Sequence, residues 1–479
     1  MPPSQLTRRQ VLAAPAILRG RGGRPHVLWL MTDEQRPDSL GCYRSPWAHS
    51  PRLDELAAEG ALFENAYSPS PVCVPCRSSL ITGNAASTNG VLHNQARLRP
   101  GAASLVWRFE DAGYQTAMFG KKHYFLPGKR PAFQTEAGMT TDRFVEAEHY
   151  GNQFNPAEFD ALQYEPEPNQ KEQRRWILAG RFPVDENRSA EAQNIALAID
   201  WLSRRDESKP FFLCVSFNAP HTPTVCPARF LPLVDPAKIR LPLPGDADLA
   251  GQPKRESVLL RGFQGTQRLS RAQIGKARHY YYARVAFVDA MFGRLIDWMR
   301  SRRLLDNTII AFVSDHGAHL GDHGMLQKQT FYEQVATVPY FFWGKDFVRR
   351  GARLKRPVSI LSLVPTLLEL AGAPHQGVDG QSLAYAVTKG SEPVSQPAFS
   401  EIAFGYQGYR DADRQVMIRD GDFKLSLFPD GGDSDGALYD LRQDPGEMHN
   451  LYSAPGKREL IRKLRSKIGE WDRSRRRNA

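Results

Sequence analysis

The sequence contains little cysteine, with five residues among 479: Cys42, Cys73, Cys76, Cys214 and Cys226. So sparse and odd a set excludes a disulfide-rich scaffold and suits either a cytosolic protein or an exported one that does not depend on disulfides. The chain also lacks any apolar run near the ~20 residues that a membrane-spanning helix needs. What is present, 41% hydrophobic and 24% charged residues, is typical of a globular protein and excludes a disordered chain, a collagen or a coiled coil.

The body of the chain lacks an excess of charge of either sign. The net charge is +11, but residues 1–25 contribute five arginines and no acid, and residues 457–479 contribute +7. Residues 26–456 are therefore nearly neutral, and we predict no nucleic-acid partner. The basic C-terminal segment is typical of a solvated tail; contact with a polyanion or a membrane surface is the alternative.

The N-terminus resembles an export signal. Residues 7–12, TRRQVL, are similar to a twin-arginine motif, and a short apolar run follows over residues 11–18. We therefore predict that residues 1–25 are an export leader and that the protein is periplasmic or secreted, in a bacterium. A disordered basic leader is the alternative interpretation.

Short apolar runs alternate with helical patterns along the first four-fifths of the chain. The runs, typical of buried parallel strands, cover residues 26–31, 115–119, 211–217 and 308–313. The helical patterns between them cover residues 51–60, 190–203 and 277–301. This alternation predicts an α/β protein with a mostly parallel sheet. Residues 124–185 and 236–272 show weak periodicity and predict long loops.

A second unit follows near residue 389. It offers short strand patterns joined by Gly and Asp turns, and then a basic helical pattern over residues 456–472. The strand patterns cover residues 415–418, 423–427 and 437–441. We predict a small antiparallel sheet with one helix packed on it.

Reactive side chains follow each of the four apolar runs. They are Asp33 and Glu34 after the first, Lys121 and His123 after the second, His221 after the third, and Asp315 and His316 after the fourth. Ligands of open α/β sheets bind beyond the carboxyl ends of the strands, so we predict one shared cleft. Asp33, Glu34 and Asp315 would form a cluster of acids, for which a bound cation is the simplest compensation. Oxygen ligands favour Ca²⁺ or Mg²⁺.

Residues 69–83 predict a helix that begins near a cysteine. Pro75 suits the first turn of a helix, and Gly83 suits its end. Cys73 would then lie at the helix N-terminus, where an anion is favoured and a thiol pKa is lowered. Arg77 lies one turn further along and could hold the same anion. Cys73 and Cys76 read either as a C-x-x-C redox pair or as part of the pattern C-x-P-x-R.

Residues 73–83, CVPCRSSLITG, resemble the signature of the type I sulfatases, in the alkaline-phosphatase-like superfamily. Further segments are similar to family motifs and occur in family order: residues 32–43, a helix-associated segment at 50–67, GKKH, APHTP, SDHG, and residues 378–383 and 438–451. The resemblance implies an alkaline-phosphatase-like αβα sandwich with a mostly parallel central sheet, formed by a catalytic domain at 26–388. It also implies a smaller domain at 389–479 with an antiparallel sheet and a helix.

The resemblance further implies a sulfuric ester hydrolase that uses a modified cysteine and a metal. Cys73 matches the residue that a maturation enzyme converts to formylglycine, whose hydrate attacks the sulfur of a sulfate ester. The implied Ca²⁺ ligands, with Mg²⁺ less typical, are the formylglycine at Cys73 and Asp33, Glu34, Asp315 and His316.

Six residues match positions that handle the nucleophile and the anion. By this match Cys73 is the nucleophile, Arg77 and Lys121 steady the formylglycine and the anion, and His123 orients the hydroxyl. His221 and Lys328 hold the sulfate, and His221 is a candidate acid for the leaving alcohol.

The sequence departs from the family pattern at three places. Glu34 stands where the family usually has Asp, and Lys122 stands where it usually has Trp. Cys76 replaces a small residue and could trap Cys73 in a disulfide if conversion fails. His316, His319 and His323 have a spacing that also allows a zinc site, with His319 and His323 otherwise lining the site or contacting substrate. We expect Asp289 and Asp322 to be structural.

Four functions remain to be compared. The main hypothesis is a sulfatase acting on a sulfated carbohydrate, glycan or aryl sulfate. The runner-up is a formylglycine-dependent phosphonate monoesterase or phosphodiesterase; a silent binding protein and a dithiol oxidoreductase are the others. Substrate specificity is expected in residues 124–185, 236–272 and 400–412, whose aromatic and basic residues include Tyr150, Trp176, Tyr406, Tyr409 and Arg410.

Overall fold

The computed structural model describes residues 23–140, 159–164, 176–182, 185–242, 253, 265–403, 414–428 and 436–476. The strands are β1 (His26–Asp33), β2 (Ala61–Tyr67), β3 (Gln115–Gly120), β4 (Thr135–Ala137), β5 (Leu162–Tyr164), β6 (Trp176–Arg181), β7 (Phe211–Pro220), β8 (Thr224–Cys226), β9 (Thr308–Ser314), β10 (His319–Leu320), β11 (Leu326–Gln327), β12 (Thr337–Trp343), β13 (Ala352–Leu354), β14 (Val358–Ser359), β15 (Ala398–Ala403), β16 (Arg414–Asp420), β17 (Phe423–Leu427) and β18 (Gly436–Asp440). The α-helices span Pro51–Ala58, Cys73–Thr82, Ala86–Asn89, Trp107–Asp111, Ala190–Arg204, Arg271–Ser301, Glu333–Ala336, Leu363–Leu370, Ala384–Lys389 and Arg458–Arg476.

A nine-stranded, mostly parallel sheet forms the centre of the molecule, as predicted. Its order is β13-β2-β12-β9-β1-β7-β3-β4, with β14 also paired to β2. β1 lies at the middle and runs parallel to both β7 and β9. β12 is antiparallel to both of its neighbours. The carboxyl ends of β9, β1, β7 and β3 therefore meet along one edge.

Alternate residues of β1 enter two separate cores. Leu28 and Leu30 pack into the core that holds the long helix Arg271–Ser301. Val27, Trp29 and Met31 pack on the opposite face, with residues of the helix Cys73–Thr82, hereafter the motif helix. Both faces of the strand are apolar because helices cover both, which is the physical basis of the three-layered αβα arrangement.

The C-terminal unit is a four-stranded antiparallel sheet in the order β15-β16-β17-β18, as predicted. Ile418, Leu425 and Leu438 of this sheet pack with Leu464 and Ile468 of the helix Arg458–Arg476. The other face packs on Tyr67, Phe331 and nearby residues of the larger domain. One helix thus covers one face, while the larger domain covers the other.

Two elements of the central sheet differ from the sequence prediction. The helix at the start of residues 50–67 ends at Ala58, and the rest of that segment is β2. Gly60 makes the change of direction: a Cβ there would lie 2.0 Å from the carbonyl oxygen of Phe342. β12 was not predicted, and its buried run TVPYFFW contains a proline, which is unusual for a strand in a central position.

Several predicted segments lie wholly or partly outside the described residues. These are residues 1–22 of the leader and the specificity candidates Tyr150, Tyr406, Tyr409 and Arg410. Within 124–185, which was predicted to be loops, β4 extends the main sheet and β5 and β6 join β8 in a small separate sheet. Trp176 opens β6. Among the helices that the structure describes, none is long and apolar enough to cross a membrane.

Candidate active site

The acids predicted to converge do lie together, because β1 and β9 are neighbours in register. Thr32 pairs with Ser314, so Asp33 and Asp315 leave the sheet side by side. The backbone N–H of Glu34 donates to Oδ1 of Asp315 at 3.3 Å. Asp33, Glu34 and Asp315 are each at most 1% exposed. Three carboxylates are thus buried at one edge of the sheet.

The motif helix places Cys73 as its first residue. Val72 before it is extended, and Pro75 lies within the first turn. The side-chain Oδ1 of Asn94 accepts a hydrogen bond from the free N–H of Val74 at 3.1 Å. The helix ends at Gly83, whose φ of 72° is the left-handed conformation that glycine adopts without strain. Every residue of this helix is buried, which explains its lack of an amphipathic pattern.

The Cys73 thiol faces a carboxylate and two basic groups. Its Sγ lies 3.6 Å from Oδ1 of Asp33, 3.3 Å from Nε2 of His316 and 3.2 Å from Nζ of Lys328. Burial and Asp33 raise the pKa of this thiol, but Lys328, Lys121 and His316 outweigh them and hold it well below its usual range. The position therefore favours a negatively charged or strongly polar nucleophile.

Arg77 joins the two aspartates from the motif helix. Its Nη2 donates to Asp33 at 3.1 Å and its Nε donates to Asp315 at 2.7 Å. Nη1 donates to the hydroxyl of Ser216 at 2.8 Å and to the backbone oxygen of Lys121 at 2.9 Å. The fork geometry of a guanidinium allows these bonds at once, whereas a lysine ammonium could not span them.

Lys121 completes the environment of Asp33. Its Nζ lies 2.6 Å from Oδ2 of Asp33 and donates to Oδ1 of Asn218 at 2.8 Å. Although burial raises the pKa of Asp33, Lys121 and Arg77 lower it well below its usual range. Asp33 is therefore ionised although it is fully buried.

Glu34, Lys328 and His221 form a second group on the other side of the thiol. Lys328 Nζ forms an ion pair with Glu34 and lies 2.7 Å from Nε2 of His221. Glu34 has a φ of 61°, and the neighbours of Lys328, Gln327 and Gln329, have φ values of 72° and 76°. Non-glycine residues in this left-handed region cost of order 1 kcal/mol or more each and concentrate at functional sites.

His123 approaches the thiol from the loop after β3. It too has a left-handed backbone, with a φ of 52°. Burial lowers the pKa of His123, and the hydrogen bond with Cys73 offsets this only in part. A neutral imidazole beside the nucleophile can accept or donate a proton, which suits the predicted orienting role.

The acids and Cys73 have the chemistry of a cation site. Ligand atoms of Asp33, Cys73, Asp315 and His316 all lie within 4.8 Å of one another, and so do those of Asp33, Glu34 and His221. Burial, and after it the charge of Asp33, raise the pKa of Asp315 to about 6, and a bound cation would favour its charged form. Carboxylate oxygens suit Ca²⁺ or Mg²⁺, whereas the imidazole nitrogen of His316 is the less typical donor.

Sequence reasoning missed three supporting residues. Ser216 and Asn218 lie in β7, and only the paired strands reveal that they hold Arg77 and Lys121. Asn94 lies in a loop, and its hydrogen bond to the motif helix has no signal in the sequence. The strand-end position of Asn218 was the one available clue.

The remaining histidines and aspartates have structural contacts. His319 bonds to the hydroxyl of Thr330 at 2.8 Å, and the ring of His323 stacks on Tyr332 at 3.8 Å. Neither belongs to a metal-like cluster within the described part of the chain. Asp289 accepts hydrogen bonds from the first backbone N–H groups of the helix Pro51–Ala58, and Asp322 pairs with Arg36.

The five cysteines are free. Cys76 donates to the backbone oxygen of Asp315 at 3.1 Å, and burial, followed by the charge of Asp315, raises the pKa of its thiol well above the usual range. Such a thiol is a poor attacking group, which disfavours the dithiol oxidoreductase hypothesis.

Models of two protein families match the chain. The model described as "Sulfatase" matches residues 25–373, and the model described as "N-sulphoglucosamine sulphohydrolase, C-terminal" matches residues 321–474. The first covers most of the catalytic layers, and the second covers the C-terminal sheet and helix.

Similar proteins include enzymes from several bacteria. The choline-sulfatase of Rhizobium meliloti (strain 1021) is 30% identical over 457 residues, which cover 90% of this chain and 83% of that protein. The arylsulfatase of Clostridium perfringens (strain 13 / Type A) is 27% identical, with 92% and 93% covered. The crystal structure of the phosphonate monoester hydrolase of Agrobacterium radiobacter aligns with a TM-score of 0.78 at 22% identity, with 94% and 96% covered; this likeness shows the fold alone.

Proposed function

Because this chain belongs to the sulfatase family, a family of sulfuric ester hydrolases, we propose that it hydrolyses a sulfate ester with a formylglycine formed from Cys73 and a Ca²⁺ ion. The observation that carries the proposal is the position of the Cys73 thiol. It is the first residue of a buried helix, and its Sγ has Lys328, His316 and Asp33 within 3.6 Å. On this proposal the hydroxyls of the formylglycine hydrate would take the place of the thiol.

The proposed metal ligands are Asp33, Glu34, Asp315, His316 and the formylglycine oxygen. Ca²⁺ bound there would neutralise the anionic sulfate and polarise it toward attack. Arg77 and Lys121 already pair with the carboxylates, so they would keep these ligands ionised and oriented. Glu34 is held by Lys328 and would reach the ion only with a shift of that lysine toward the sulfate.

The other side chains have roles that follow from where their polar atoms lie. His123 would orient the attacking hydroxyl, since Cys73 is among the groups that shift the pKa of its imidazole. Lys328 and His221 lie together, 2.7 Å apart, and would hold sulfate oxygens on the open side of the site. His221 has a side chain that is 24% exposed, so it could also pass a proton to the leaving alcohol.

Mass spectrometry tests the modification. In protein from a host that has a formylglycine-generating enzyme, the peptide that contains Cys73 is expected to lose the thiol sulfur and to gain an aldehyde. The Cys73→Ala variant is expected to lose activity by at least 10³-fold, since no nucleophile remains. An unmodified thiol in fully active protein would refute the formylglycine proposal.

Parallel assays test the reaction. Hydrolysis of aryl sulfate or of sulfated saccharides, faster than that of aryl phosphonate esters, is the expected result. A preference for the phosphonate ester would instead support the phosphonate monoesterase or phosphodiesterase alternative, because tetrahedral phosphonate and sulfate groups fit the same site.

We also propose that the protein is exported through a twin-arginine leader to the periplasm or the medium of a bacterium. The support is the TRRQVL motif at residues 7–12, which lies outside the described residues. Cell fractionation tests this: replacing Arg8 and Arg9 by lysine is expected to leave the protein in the cytoplasm.

A further inference from the structure

An exposed arginine stacks on an exposed aromatic ring beside the candidate active site. The ring of Phe125 is 43% exposed, and the guanidinium carbon of Arg97 lies 4.1 Å from its centre. Nη1 of Arg97 donates to the backbone oxygens of Gln95 and Ala96 at 3.3 and 3.2 Å. The guanidinium is therefore held over the ring, which reduces the conformational entropy that it would lose on binding a ligand.

This pair is tied to the nucleophile through one small apolar cluster. Val74, the residue after Cys73, is buried with Val91 and Leu98, and Ala96 and Leu126 pack against them. Arg97 lies between two members of that cluster, and Phe125 immediately precedes a third. Phe125 is also two residues from His123, a separation of at most about 7 Å along the chain.

Arg97 differs from the cations of the site in having no carboxylate partner among the described residues. Arg77, Lys121 and Lys328 each form an ion pair with a buried carboxylate of the site. Among the residues that the structure describes, none has a carboxylate within 4 Å of Arg97. An oriented guanidinium without a counter-charge is suited to bind a carboxylate or a sulfate through two parallel hydrogen bonds.

We propose that Arg97, oriented by Phe125, binds a second anionic group of the substrate, a carboxylate or sulfate on the sugar that carries or adjoins the cleaved sulfate ester. The inference rests on the proposed function and deepens it. It favours a polyanionic saccharide as the substrate. It disfavours aryl sulfates without a second anionic group and the sulfate esters of cationic alcohols.

The test compares two sulfated hexosamines, one with a single sulfate ester and one with a second sulfate, against wild-type enzyme and variants. The wild type is expected to have a kcat/KM at least tenfold higher for the disulfated sugar. Arg97→Gln is expected to reduce that ratio to near one, mainly through KM, because the binding contact is lost. Arg97→Lys and Phe125→Leu are expected to give intermediate ratios, since each keeps the charge but loses the contact between the guanidinium and the ring.

Arg99→Gln is the matched control. Arg99 is exposed on the same loop, and its guanidinium donates to the backbone oxygen of Ser87 rather than stacking on Phe125. This variant removes one positive charge from the same loop, so it is expected to keep the wild-type ratio. An equal fall in both variants would mean a general effect of charge and would overturn the inference.

Two failures are distinguishable. If the wild type cleaves aryl sulfate but shows no preference for the disulfated sugar, or if Arg97→Gln keeps that preference, the inference is wrong and the proposed function stands. If modified wild-type enzyme cleaves no sulfate ester of any kind, the proposed function itself fails.

Discussion

At the scale of single residues, the site depends on buried charges that hold one another. Arg77, Lys121 and Lys328 form ion pairs with Asp33, Asp315 and Glu34, although all six side chains are buried. Removing one member of a buried pair typically costs about 3–5 kcal/mol, because its partner stays charged and unpaired. Neutral neighbours that only orient a charge are the better targets for mutation.

Asn218→Ala tests such a neighbour. The variant removes the amide oxygen that accepts a hydrogen bond from Lys121 Nζ at 2.8 Å, while the ion pair with Asp33 remains. We expect kcat/KM for a sulfate ester to fall about tenfold and the free energy of unfolding to fall by about 1–2 kcal/mol. Steady-state kinetics and urea unfolding measure both.

Asn187→Ala serves as its control. Asn187 is exposed, and its side chain bonds to Arg294, which is not among the residues of the site. The same chemical change there should leave kcat/KM within twofold of the wild type. If Asn218→Ala behaves like Asn187→Ala, Asn218 does not position Lys121.

At the scale of elements, the motif helix is held at both of its ends. Near its start, the side chain of Asn94 accepts a hydrogen bond from the backbone N–H of Val74, and at its end Gly83 has a left-handed backbone. A Cβ on Gly83 would lie 2.5 Å from Leu105 and 3.1 Å from Val378. The C-terminal end of the helix is therefore tightly packed.

Gly83→Ala separates backbone strain from crowding. We expect the variant to lose about 2–4 kcal/mol of stability, because a left-handed alanine costs about 1 kcal/mol and the methyl group overlaps Leu105 and Val378. Gly113→Ala is the control: Gly113 has a φ of 87° but no atom within 4 Å of a new Cβ. It should lose only the backbone part, about 1 kcal/mol, in thermal or urea unfolding. Equal losses of stability in the two variants would show that Leu105 and Val378 rearrange to accommodate the new methyl group.

The elements that the sequence predicted are those with a local pattern. β1, β3, β7 and β9 are continuous buried runs, and the reactive residues after them could be assigned to one edge from the parallel-sheet rule alone. β2 and β12 could not be predicted as strands, since β2 follows a helix after a single turn and β12 contains Pro339. The contacts of Ser216, Asn94 and Lys328 depend on chain segments distant in sequence, which no local periodicity encodes.

At the scale of the whole molecule, the C-terminal sheet supports the motif segment. The backbone N–H of Glu401 in β15 donates to Pro69, and the Glu401 carboxylate accepts from the backbone N–H of Ser87 at 2.7 Å. Pro69 and Ser87 flank the motif helix. Lys424 of β17 also pairs with Glu333 and with the fully buried Glu447. The C-terminal sheet therefore supports the segments on both sides of the motif helix, although no C-terminal side chain is among the predicted site residues.

Removal of divalent cations tests the metal part of the proposal on the intact protein. Chelation by EDTA is expected to abolish activity and to lower the melting temperature, and Ca²⁺ is expected to restore both. At a Ca²⁺ concentration 100 times its dissociation constant, binding stabilises the fold by about 2.7 kcal/mol. Differential scanning calorimetry measures this shift.

Asp315→Asn is expected to lose the Ca²⁺-dependent rise in melting temperature, because one proposed carboxylate ligand becomes neutral. The exposed Asp346 offers a control, and Asp346→Asn should keep the full rise. Activity that survives exhaustive chelation, with an unchanged melting temperature, would contradict the metal proposal.

The burial of Cys73 limits when the proposed conversion to formylglycine can take place. Cys73 is 2% exposed, and its Sγ contacts Asp33 and His316 at the carboxyl ends of β1 and β9, so pairing of those strands buries it away from a second enzyme. If Cys73 is converted to formylglycine as proposed, the maturation enzyme must act on the nascent polypeptide before it folds. β1 and β9 are nearly 300 residues apart, so their pairing is expected to be slow. Slow pairing would leave more time for the modification of Cys73.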